Sequence, residues 1–216
     1  MRQKIGIISG AGAIVGANFY KNLITSYALS SLQKDSSFPH VQLINFPFHS
    51  MDETGLIDRD LFKKEINYCF ERLNDCNHIV VLCFSMHKDI KEIIGYVNYK
   101  KLYTIDCIID EINCEPEKTL MLCSQTSRDE KIFNQNFHYL NDEEYIILNK
   151  SIENAIGANF DNWNLNTILD LKIKELNIDK IILGCTELFY FNFDLPKVEI
   201  INPEKLIIDN LKEKTK

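Results

Sequence analysis

The chain has no surplus of basic residues: Lys and Arg total 24 against 31 Asp and Glu, a net charge of −7. That excludes a nucleic-acid binder working through a broad basic surface. Glycine and proline are scarce, 8 and 5 in 216 residues, which excludes collagen and low-complexity classes. The 45% hydrophobic and 25% charged content is that of an ordinary globular protein, long enough for one large domain or two small ones. No apolar stretch approaches the roughly 18 residues of a membrane span, so a soluble protein is expected. Seven cysteines are present, at 69, 76, 83, 107, 114, 123 and 185, without a C-x-x-C pair. An odd number in a chain too long to need stapling points to reduced thiols and a cytoplasmic location.

Residues 1–17 carry two basic residues, an apolar run and a small-residue stretch, and so imitate a signal peptide. The better reading is a β-branched strand over 4–9, a glycine-rich turn and a helix over 18–31. Further strands are expected at 42–46, 79–83, 103–105, 119–123, 145–148, 181–184 and 198–201. Helices are expected at 58–73, 87–96, 106–113, 128–137, 165–176 and 203–212. Strands that are apolar throughout and alternate with helices predict an α/β fold with mostly parallel, doubly covered sheets, whose ligands bind at strand carboxyl ends.

An internal repeat organises the rest. Arg72-Leu73-Asn74-Asp75-Cys76-Asn77-His78-Ile79-Val80-Val81-Leu82-Cys83 aligns with Glu175-Leu176-Asn177-Ile178-Asp179-Lys180-Ile181-Ile182-Leu183-Gly184-Cys185 with one gap. Each is a helix end, a turn, an apolar strand and a terminal cysteine. The repeat predicts two similar pseudosymmetric domains, 1–101 plus 203–216 and 102–202, with the active site in the cleft between them. Two facing thiols suit stereoinverting proton transfer, which needs an acid–base group on each face of a carbon. Each cysteine precedes a predicted helix start, where the helix end favours thiolate. A single free cysteine is more often buried packing, and Cys69, Cys76, Cys107, Cys114 and Cys123 are expected to be that.

Ile5-Gly6-Ile7-Ile8-Ser9-Gly10-Ala11-Gly12, Leu82-Cys83-Phe84-Ser85-Met86-His87 and Leu183-Gly184-Cys185-Thr186-Glu187-Leu188 together resemble the three signatures of the aspartate/glutamate racemase superfamily, nearest its aspartate racemase branch. The third matches strongly; the first two are degraded. The resemblance implies cofactor-independent racemisation at Cα, a small amino-acid or carboxylate substrate and a homodimer. It assigns catalysis to Cys83 and Cys185. It also implies substrate contacts from Gly10, Asn45, Ser85, Ser124, Thr126 and Thr186, with His87 and Glu187 in support. His87 and Glu187 either poise a thiol or sit on the surface at a helix start. Ser127, ahead of Arg128, reads as a helix cap.

The departures bear on substrate. The family has Asn after the first cysteine, where this chain has Phe84. Aspartate racemases carry an Arg after the second strand, and here Asn45-Phe46-Pro47-Phe48-His49-Ser50-Met51-Asp52 holds none before Arg59. An aspartate side chain would lack a cationic partner. A less polar substrate, or binding without turnover, is the alternative. Residues 10–16 resemble a dinucleotide loop but lack G-x-G-x-x-G spacing and an acidic end to the second strand, so no nicotinamide cofactor is expected. Cys69, Cys76 and Cys83 fall on a helix, a turn and a strand end, so no metal is expected.

Overall fold

The computed structural model describes residues 3–30, 34–52, 55–94, 102–103, 109, 111–133 and 136–215. Half of the helix expected at 106–113, residues 104–105 of the strand expected at 103–105, the ends of the helices at 18–31 and 87–96, and Cys107 lie outside them.

The first sheet has the order β2-β1-β5-β6 and is parallel throughout, with β1 at Lys4–Ser9, β2 at His40–Asn45, β5 at His78–Val81 and β6 at Leu102–Tyr103. Central strands β1 and β5 are buried almost end to end, as continuous apolar runs require when helices cover both faces. β3 (Met51–Asp52) and β4 (Gly55–Leu56) form a small antiparallel pair beside it. The second sheet, β7-β8-β9, is also parallel, with β7 at Thr119–Leu122, β8 at Lys180–Leu183 and β9 at Glu199–Ile201. Because β6 pairs with β5, the first sheet includes Leu102 and Tyr103, which were expected in the second unit.

Helix α1 (Ala13–Ser30) follows β1 and packs through Val15, Phe19 and Leu23 on α7 (Pro203–Thr215), through Ile207, Ile208 and Leu211. Helix α2 (Arg59–Arg72) starts where the Asp58 side chain accepts from the amides of Asp60 and Leu61. It buries Phe62, Ile66 and Phe70, four residues apart, on the opposite face of the sheet. Helix α3 (His87–Ile94) leaves β5 through one 3₁₀ turn.

Two expectations in the second unit are overturned. Residues 145–148 are helical, inside α5 (Asp142–Ile156), and not a strand. Asn141 and Glu144 form a reciprocal capping box that starts the helix, which Tyr145, Leu148 and Ala155 then anchor in the core. The helix expected at 128–137 is instead the five-residue α4 (Gln125–Asp129). It stops because Lys131 turns left-handed at φ 51°, and the following segment returns to pair His138 with β7. Helix α6 (Trp163–Leu176) then leads into β8.

Candidate active site

Cys83 and Cys185 occupy equivalent places. Leu82 N–H donates to Ile8 O at 2.9 Å, and Gly184 N–H donates to Leu122 O at 2.6 Å. Each bond ties a cysteine-bearing strand end to the neighbouring strand, so each cysteine emerges beside the loop leaving that neighbour. Each then opens a 3₁₀ turn, Phe84–Met86 or Thr186–Tyr190. Both thiols face one cavity of about 290 Å³, together with Gly10, Ser85, Ser124, Thr186 and Glu187.

Cys83 Sγ lies 3.1 Å from Ser85 Oγ. Cys185 Sγ donates to Glu187 Oε2 at 3.0 Å, and Thr186 Oγ1 donates to the same oxygen at 3.1 Å. Glu187 is 8% exposed and borders the glycine loop closely: a Cβ on Gly12 would stand 2.6 Å from its Oε1. Gly10 is held at φ 132°, with a Cβ there falling 1.6 Å from Phe46 O, so only glycine fits.

The thiols are not held as thiolates. Burial, then the negative charge of Glu187, pushes Cys83 up to about 11, against a smaller opposing pull from Ser85 and the Ser85 and Met86 amides. Cys185 is raised by the same two causes, by its bond to Glu187 and by the neighbouring Cys83. The expected helix-end lowering is outweighed because each turn is short and each sulfur is desolvated. Glu187 is itself raised by burial.

The other expected residues divide. Ser124 is the cap of α4, accepting from Ser127 N–H at 3.3 Å; Ser127, expected as the cap, is buried within the helix, its Oγ 2.9 Å from Ser124 Oγ. Both border the cavity. Asn45 is exposed at the end of β2 and lies outside the cavity lining. Thr126 faces an adjoining depression and packs against Gly55. His87 is buried, its Nε2 3.1 Å from Val81 O, so it ties α3 to β5 rather than bordering the cavity. Phe84 borders the cavity beside Cys83. It is 2% exposed, packed with the second unit's core between His87 and Phe189 at centroid distances of 5.2 and 5.7 Å.

Sequence reasoning missed the apolar part of the cavity lining: Phe48 and Met51 from the segment after β2, and Ile152 and Ile156 from α5. It also missed Glu65 of α2, which accepts from His49 N–H at 3.0 Å and from Ser50 N–H and Oγ–H at 3.2 and 2.6 Å, holding the loop that presents Phe48 and Met51. Among the described residues, no group of three potential metal ligands comes together and no helix is long and apolar enough to cross a membrane.

No family model matches the sequence, and no curated protein does. Solved structures match over almost the whole chain. An aspartate racemase homologue from Pyrococcus horikoshii OT3 is 21% identical with a TM-score of 0.77, covering 100% of this chain and 99% of that one. The aspartate racemase of Picrophilus torridus is 15% identical at a TM-score of 0.62, covering 99% and 94%. A glutamate racemase from Campylobacter jejuni subsp. jejuni is 16% identical at 0.61, covering 98% and 86%. The chain therefore has the two-unit α/β fold of aspartate and glutamate racemases, and Cys83 and Cys185 both line one cavity.

Proposed function

We propose that the protein is a cofactor-independent racemase or epimerase of α-amino acids, working through Cys83 and Cys185. The observation that carries this is the pair of thiols at matched strand ends on one cavity, in a fold shared with racemases. In one direction, a thiolate at one cysteine takes the Cα proton, and the C–H electron pair passes into the substrate carboxylate as an enolate-like dianion. The opposite thiol returns a proton to the other face, becoming the thiolate, so atoms and charge balance while the two sulfurs exchange states. Backbone amides of the Gly10–Gly12 turn, with the hydroxyls of Ser85, Ser124 and Thr186, all from the cavity lining, would receive the developing negative charge.

The resting thiols lie well above neutral pH, so a proton must leave one of them as substrate enters. Glu187, hydrogen-bonded to Cys185, is the adjacent carboxylate. A substrate ammonium beside that carboxylate would offset the charge that holds both sulfurs protonated. The same elevation favours a second reading, in which the cavity binds a small carboxylate without turnover.

Loss of the Cα proton signal in heavy water, followed by NMR over a panel of L- and D-amino acids, separates the two. Exchange that disappears in Cys83→Ala and in Cys185→Ala supports the racemase. Saturable binding with no exchange for any amino acid leaves the binding reading in its place.

A further inference from the structure

The cavity takes apolar lining from two different units of the fold. Phe48 and Met51 come from the segment after β2; Ile152 and Ile156 stand one turn apart on α5. Phe48 is buried and Ile156 is 46% exposed. The one charged side chain among the described lining residues is the carboxyl of Glu187. Arg59, the first arginine after β2, is turned elsewhere: its guanidinium binds Asp89 of α3 and reaches Glu130 at 3.0 Å, outside the lining.

We infer that the substrate is an α-amino acid with an uncharged, apolar side chain of about the size of leucine or methionine, seated against the apolar lining that includes Met51 and Ile152. This rests on the two-thiol reading above and narrows it. A side-chain carboxylate in that position would lose its water to methyl and methylene groups, with no described cation to meet it, and would face the Glu187 carboxyl. Both penalties act in one direction. An apolar side chain removes its own surface and that of the apolar lining from water, while the α-ammonium can lie beside Glu187. The volume of about 290 Å³ is at the small end of ligand cavities, roughly 300–1,000 Å³, and suits a single amino acid.

The test compares L-leucine, L-methionine and L-phenylalanine with L-aspartate and L-glutamate on the full chain, reading Cα exchange in heavy water and, in parallel, binding by saturation-transfer NMR. The expected result is exchange about tenfold or more faster with an apolar substrate than with either acidic one. Ile152→Arg should reverse that order, and Met51→Arg, on a different segment of the lining, provides a second variant should the first fail to fold. Faster exchange with aspartate or glutamate in the wild type overturns the inference and leaves the two-thiol chemistry standing. Preferential binding of apolar amino acids without exchange supports the inference about the ligand and removes the chemistry. Absence of both binding and exchange for all five overturns both.

Discussion

Replacing Glu187 with Gln removes a negative charge while keeping a side chain of the same shape beside Cys185 and Gly12. The charge is the second cause of the elevation of Cys83, after burial, and of Cys185. Cys83 stands at about 11 against an ordinary 9.0, after the opposing bonds from Ser85 and the backbone have acted. Burial is unaltered by the substitution, so only part of that gap closes. The expected change is on the order of one pH unit downward, equivalent to about 1.4 kcal/mol in the thiol–thiolate equilibrium. The assay is the pH dependence of iodoacetamide alkylation at Cys83, resolved from the other cysteines by peptide mass spectrometry. In Glu187→Gln the alkylation midpoint falls, and at a fixed pH below both midpoints the rate rises about tenfold. A midpoint that stays put or rises in a folded variant would refute the electrostatic role of Glu187 and leave desolvation alone to account for the high thiol.

Phe84→Asn, which restores the amide of the resembled family, removes a ring held between His87 and Phe189, and should cost about 3–5 kcal/mol, read as a drop in chemical denaturation midpoint. Asn141→Ala loses the reciprocal cap of α5, with an expected loss of about 1 kcal/mol in the same measurement, and Asn141→Ser should recover most of it. Stability should also decline as pH rises from about 9.0 towards 11. Cys69, Cys76 and Cys83 are each pushed up to about 11 and Cys123 to about 12, mainly by burial, so the folded chain keeps protons that the unfolded chain releases. The contribution is fully present below 9.0 and is lost through that window; unfolding free energies that stay flat from about pH 8.5 to about 10.5 would contradict it.

The sheets and the paired cysteines were legible in the sequence because a doubly covered parallel strand is apolar at every position, a local signal that the turns after 81 and 183 terminate cleanly. The Tyr145-Ile146-Ile147-Leu148 run misled for the same reason: a short apolar stretch fits a buried strand, and the capping box before it decides the matter. That misreading hid Ile152 and Ile156, whose four-residue spacing becomes a wall only once α5 is a helix. The thiol states were illegible because a helix end is local, whereas desolvation and the approach of Glu187 arise from packing. Asn45 and His87 show the reverse limit: each lies beside residues that border the cavity, yet one points to solvent and the other into the core.

The cavity wall carrying Phe48 and Met51 owes its position to a carboxylate it does not contain. Glu65 stands on α2, away from the lining, and its three accepted hydrogen bonds take the place of regular structure in fixing the loop. The shape that a substrate side chain meets is therefore under the control of a helix residue remote from the chemistry. Substitutions at position 65 are a route by which the breadth of accepted side chains could change in evolution or by engineering, while both sulfurs and their surroundings stay as they are.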